Sequence, residues 1–172
     1  MNETIQTMIA RRSTKAYLQK QIPDELLDAV LEAGLYAPSG MNNQQVVAVA
    51  VKDKDTRDQL AQMNAAVMGA DTDPFYGAPC VIVVLSDPER STWVEDGSLV
   101  LGNMMNAAQS LGLGSCWIHR AREMFDSDAG KALLEAWGLP TTLRGIGNCI
   151  LGYSAAEPAQ KPRKEGRIVK IG

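Results

Sequence analysis

Six apolar residues in succession, Cys80 to Leu85, place the strongest limit on what this chain can fold into. Successive side chains of a strand point to opposite faces, so such a run is stable only in a sheet covered on both sides. Amphipathic helices must supply the two covers, and the sequence contains them. Leu26, Leu27, Val30, Leu31 and Gly34 follow the 3.6-residue period after Ile22, Pro23 and Asp24, ending at Ala37 and Pro38. Leu60, Met63 and Val67 mark a helix from near Asp53 to Gly69. Val100, Met104, Ala107, Ala108 and Leu111 share one face of the longest pattern, Asp96 to Leu111, which Gly112 closes. Leu99, Leu101 and Met105 on its other faces predict a largely buried helix.

The remaining elements are shorter. Asn2 is a candidate N-cap for an opening helix carrying Ile5, Met8 and Ile9, and Asp126 for one running through Leu133, Leu134 and Trp137. Strands are predicted over Val46 to Val51, Ser115 to Ile118 and Gly145 to Gly152, with a last one over Arg167 to Ile171. Asp71 to Gly77 reads as a loop whose aromatics, Phe75 and Tyr76, cover a pocket. Helices and strands mix without strict alternation, so the expected class is α+β, a mixed β-sheet flanked by helices in one domain over residues 1–172.

Composition removes several functions. With 45% apolar and 22% charged residues the chain is an ordinary globule, and no window reaches a membrane-spanning length. Met1 to Ala10 carry too many polar residues for a signal peptide, so the expected location is cytoplasmic, with no membrane contact. A net charge of −3 lacks the basic face that a nucleic acid requires. Cys80, Cys116 and Cys149 are far apart, odd in number and set in apolar runs, and read as buried reduced thiols. His119 is the sole histidine, which rules out a multi-histidine metal site, and no metal is expected. Neither a Gly-x-Ser-x-Gly elbow nor a phosphate-binding P-loop is present, and Trp117 stands where a dinucleotide fingerprint needs its third glycine.

A chain without an evident nucleophile nonetheless holds two basic clusters, Arg11-Arg12-Ser13-Thr14-Lys15 and Lys161-Pro162-Arg163-Lys164. Each alone is an ordinary solvated group, the first a complement to a helix C-terminus. Converging, they would bind a phosphate. A bound cofactor can carry the chemistry that side chains lack. Flavin mononucleotide would ask for cations and hydroxyls at its phosphate, carboxamides along its polyol and ring edge, backbone N–H groups near N5, and positive charge near N1 and O2.

Four segments in register closely resemble the FMN-dependent nitroreductase family: Arg11 to Tyr17, Ala37 to Gln44, Gly112 to Ile118, and Lys161 to Arg163. The resemblance implies an intertwined homodimer whose C-terminal segment extends to the partner. It implies that Arg11 and Ser13 hold the FMN phosphate and ribityl, with Arg12 sharing the phosphate and Lys15 near N1 and O2. Pro38, Ser39, Gly40 and Asn42 would reach the flavin from the partner subunit, and Asn64 would point at the pyrimidine edge. Trp117, Ile118 and His119 match the segment lying over N5, and Lys161 with Arg163 the pair that closes on the phosphate. The implied reaction is ping-pong hydride transfer from NAD(P)H through flavin N5 to a small electron-poor acceptor, a nitroaromatic or a quinone, with His119 a candidate proton donor. Lys15 stands where arginine is frequent, Gln45 where proline is, and His119 and Arg120 where small residues are usual, in a chain short for the family. A reductive dehalogenase and a flavin-binding redox sensor without efficient turnover are the alternative readings.

Overall fold

The computed structural model describes all 172 residues. Its elements in chain order are α1 (Glu3–Ala10), α2 (Asp24–Leu35), β1 (Val47–Val51), α3 (Lys54–Met68), β2 (Cys80–Ser86), α4 (Trp93–Ser110), β3 (Gly114–Ile118), α5 (Ala121–Asp126), α6 (Asp128–Ala136) and β4 (Arg144–Gly152), with a short 3-10 turn at Gly40–Asn42. The four strands form one sheet in the order β1-β2-β4-β3. β2 is buried along its whole length, as its apolar run demands. Cys80, Ile82 and Val84 face Val30 of α2 and Val100 and Met104 of α4, while Val81, Val83 and Leu85 face Leu60 of α3, Phe125 of α5 and Leu134 of α6. The two cores hold 17 and 14 buried residues, so both layers are substantial.

Local chemistry accounts for most boundaries. Asn2 caps α1 by accepting from Ile5 N at 3.0 Å, and Asp53 caps α3 by accepting from Thr56 N at 2.9 Å. Gly112, at φ 72°, lets the chain leave α4 in the left-handed conformation. α4 starts at Trp93, three residues before the predicted Asp96, and α5 has no counterpart among the predicted elements. Ser127, not Asp126, caps the following helix, its Oγ accepting from Gly130 N at 3.1 Å. Asp126 is instead drawn aside by the Arg144 guanidinium, whose Nε lies 2.8 Å from Oδ1.

Two predicted features differ. All three strand pairings are antiparallel, and the sole parallel pairing is the isolated bridge between Ser13 and Ser115. The predicted strand at Arg167 to Ile171 is not formed: Ile168, Val169 and Ile171 are 83%, 80% and 95% exposed. Its β-branched residues give strand propensity, but a strand also needs a free edge to pair with, and this segment touches none. No helix is long and apolar enough to cross a membrane, and no group of three His, Cys, Asp or Glu side chains could hold a metal ion.

All three thiols are free and buried. Burial pushes Cys80 and Cys149 up to about 12, so both stay protonated at pH 8 and lack the nucleophilic thiolate. Ellman's reagent at pH 8 is therefore expected to titrate at most one thiol in the native protein and all three after unfolding in urea; two or more native thiols would contradict the packing.

Candidate functional site

The outer edge of β3 joins the regions singled out from the sequence. Near its start, Ser13 bridges Ser115 in parallel and Thr14 N donates to Ser115 O at 3.0 Å. Past its end come His119 and Arg120. From Ser115 to His119 is four residues, about 13 Å at the strand rise. An elongated ligand lying along this edge would meet cations at one end and the His119 turn at the other.

At the first end the arginines divide their roles. The Arg12 guanidinium folds back, donating to Ile9 O at 2.6 Å and Arg11 O at 2.7 Å. It thus caps carbonyls at the end of α1, the ordinary work of a cation there. Arg11 Nη1 is buried with no hydrogen-bond partner. A buried, unsatisfied guanidinium donor is costly and is relieved by an anion. Ser13 and Lys15 are exposed, and Lys15 Nζ sits 5.6 Å from the ring centroid of Tyr76. Thr14 is buried against Gly114, where a Cβ would fall 2.6 Å from Thr14 Oγ1, so the close crossing of the two chains needs a glycine.

Arg12, Thr14, Gly112 to Gly114 and Ser154 to Gln160 line a cleft of about 840 Å³. Ala155 N donates to Ala16 O at 2.9 Å, holding the root of the C-terminal segment beside the cluster. Lys161 and Arg163 follow at once but are exposed and make no bond to residues 11–15. The second cluster is thus brought near by its backbone, not by its charges.

At the far end, Trp117 is half-buried with its indole close to Gly147, Ile118 is buried and His119 is exposed. Arg120 initiates α5 from the left-handed region at φ 75°, unusual for a residue with a side chain. Asn64 fixes this turn: its Nδ2 donates to His119 O at 2.7 Å and its Oδ1 accepts from Arg120 Nη1 at 3.3 Å. Asn148 Nδ2 donates to Ile118 O at 3.4 Å, and its Oδ1 is buried without a partner. The expectation for Asn64 needs correcting. It is 0% exposed and its carboxamide is engaged at both ends within the chain, so it reaches any ligand only through His119 and Arg120. Asn148 was not singled out from the sequence; a carboxamide inside an otherwise apolar, glycine-punctuated strand was the available signal.

Pro38 to Asn42 lies apart from both ends. Buried Asp96 holds it, Oδ1 accepting from Gly40 N at 2.9 Å and Oδ2 from Thr92 Oγ1 at 3.1 Å. Met41, Asn42 and Gln44 all have positive φ, and Ser39 Oγ accepts from Gln44 N at 3.1 Å. This loop borders a separate cleft of about 280 Å³ with Leu35, Val46 and Val100. The large cleft beside Arg12 contains none of its residues. Asp96→Asn removes one acceptor from this anchor and is expected to cost about 1 kcal/mol, read by urea denaturation, with faster amide exchange at Gly40.

The sequence model described as the Nitroreductase family matches residues 8–74 and 69–153. An Archaeoglobus fulgidus protein, provisionally named NADH dehydrogenase/NAD(P)H nitroreductase, is 33% identical over 91% of this chain and 88% of its own length. The FMN reductase [NAD(P)H] of Bacillus subtilis is 28% identical over 95% of this chain and 70% of its own. The crystal structure of a nitroreductase with bound FMN from Bacteroides fragilis aligns with a TM-score of 0.93 at 33% identity, covering 100% of both chains.

Proposed function

Because the chain belongs to the nitroreductase family, we propose that it is a cytoplasmic, single-domain FMN-dependent oxidoreductase that uses NAD(P)H to reduce nitroaromatics, quinones or similar electron-poor acceptors. The observation that carries this reading is the buried, partnerless Nη1 of Arg11 beside exposed Ser13, at one end of a strand edge whose other end is the His119 turn. Cation, hydroxyl, open strand edge and carbonyl-pinned turn fit a molecule with a phosphate, a polyol and a flat polar ring.

Bound FMN would supply the redox chemistry, hydride transfer between a nicotinamide and the acceptor. Arg11 and Ser13 would hold its phosphate and ribityl. Arg12 fixes the end of α1 on which Arg11 stands. Lys15 provides the positive charge that favours negative charge at N1 and O2. The backbone of Trp117, Ile118 and His119 would face the ring, with the exposed His119 imidazole beside it as a candidate proton donor. Lys161 and Arg163 would supply further cations for the phosphate from the segment rooted beside residue 16.

Pro38, Ser39, Gly40 and Asn42 belong to the partner's site in an intertwined homodimer. A single chain leaves Pro38 and Ser39 in a separate cleft and exposes apolar residues on α1 (Ile5, Met8, Ile9), on α4 (Leu99) and in the C-terminal segment (Ile168, Val169, Ile171). That segment extends to the partner.

Purified protein should be yellow and release FMN, and anaerobic NADH or NADPH should bleach it. Steady-state oxidation of the nicotinamide should then follow addition of menadione or a nitroaromatic, with parallel double-reciprocal lines. Protein that cannot be reconstituted with FMN would overturn the cofactor; a yellow protein that never bleaches would leave a flavin-binding sensor.

A further inference from the structure

The turn between α3 and β2 is built with unusual care around an exposed side chain. Tyr76 has φ 52° and Gly77 φ 72°, two consecutive left-handed residues. Glycine and asparagine are the usual occupants of such positions, and an aromatic residue is an outlier. The surrounding structure forces the conformation. Asp73 accepts from Phe75 N and Gly77 N, both at 2.8 Å, and pairs with Arg57 Nη2 at 2.6 Å. Arg57 is itself buried, donates from Nε to Ala78 O at 3.0 Å and covers the ring of fully buried Phe75. Gln19 Nε2 donates to Gly77 O at 3.0 Å, which ties this turn to the segment carrying Lys15.

Packing does not explain Tyr76, whose neighbour Phe75 takes the core position while Tyr76 stays 41% exposed. Its ring meets the Lys15 ammonium, 5.6 Å from the centroid. Lys15 makes no ion pair; the five in the chain belong to Lys52, Lys54, Arg57, which has two, and Arg144. A long, exposed lysine otherwise keeps its rotamer freedom. Strain sustained at an exposed residue points to function.

We infer that Tyr76 is a positioning residue: its ring holds the Lys15 ammonium at the N1–O2 edge of the flavin and thereby raises the reduction potential of the bound cofactor, an inference resting on the FMN reading above. The charge is attractive to the reduced, anionic ring only where it stays close.

The test measures the potential of the reconstituted holoprotein by dye equilibration, FMN affinity by fluorescence quenching, and the melting temperature of the apoprotein. Tyr76→Gly suits the positive φ and removes the ring, so the apoprotein should melt no lower than the parent. Reduced flavin should bind about tenfold more weakly relative to oxidised, a fall of about 30 mV for a two-electron couple. Tyr76→Asn, also at home in this conformation, should behave alike, and Tyr76→Phe should keep the parental potential. Lys15→Met separates the two layers of argument. If it lowers the potential while Tyr76→Gly and Tyr76→Asn do not, the Tyr76 inference is overturned and the role of Lys15 stands. If Lys15→Met changes nothing, the placement of Lys15 fails and the inference with it. A large drop in melting temperature for both Tyr76 variants, with unchanged potential, would make the ring a packing element.

Discussion

Arg11→Ala is expected to weaken FMN binding by about 1.5–3 kcal/mol, the scale of a lost charged hydrogen bond, or about 10- to 150-fold in dissociation constant. The reason lies in the unequal use of two adjacent arginines. Arg12 spends its guanidinium on the carbonyls of Ile9 and Arg11, whereas Arg11 leaves a buried Nη1 with no partner. Without ligand that donor carries a desolvation cost, so the apoprotein should lose no stability on its removal and should gain some. Arg12→Ala should show the opposite balance, with a measurable loss of apoprotein stability and a smaller loss of affinity. Arg90→Ala, an exposed arginine away from the cluster, is the control and should do neither. Fluorescence titration with FMN and urea denaturation of the apoprotein read both quantities. Equal effects of Arg11→Ala and Arg90→Ala would move the phosphate site elsewhere.

The residues that could be recognised from the sequence were those whose role is local. The apolar run at Cys80 could be placed because side-chain alternation leaves a sheet covered on both faces as its only home, and the Asn2 cap because capping acts over three residues. Asp126 misled for a local reason too: it is a good cap by type, but Arg144, eighteen residues on, engages its carboxylate and Ser127 takes the position. α5 escaped because it begins at Arg120 in a left-handed conformation without a capping side chain. Arg167 to Ile171 has the β-branched composition of a strand, yet pairing is a property of two segments, and only one is visible in a sequence.

The candidate site divides along the same line. The cations, the carboxamide loop and the β3 segment were identifiable because type and spacing declare them. The groups that aim them were not. Asp96 acts on Gly40 across 56 positions and Asn64 on His119 across 55, and nothing in the flanking sequence marks either partner. Asn64 shows the consequence most sharply, since the family resemblance implied a ligand contact and its burial makes it a support.

That support can be measured. Asn64→Leu keeps the volume and removes both polar ends, leaving the His119 carbonyl and Arg120 Nη1 without partners, and is expected to destabilise the fold by about 2–6 kcal/mol at about 1–3 kcal/mol per orphaned group. The left-handed Arg120 then loses the contact that over-determines it, and α5 should fray from its start, with faster amide exchange from Ala121 to Met124. The phosphate end is untouched, four residues up β3, so FMN affinity should fall less than tenfold while the anaerobic rate of reduction by NADPH falls more than tenfold. Asn64→Asp should sit between parent and Asn64→Leu, because its carboxylate still accepts from Arg120 but no longer donates to His119 O. The pattern separates two kinds of asparagine. One that props the turn costs stability and hydride transfer; one that touches the ring would cost affinity as much as Arg11→Ala does, with the fold unchanged.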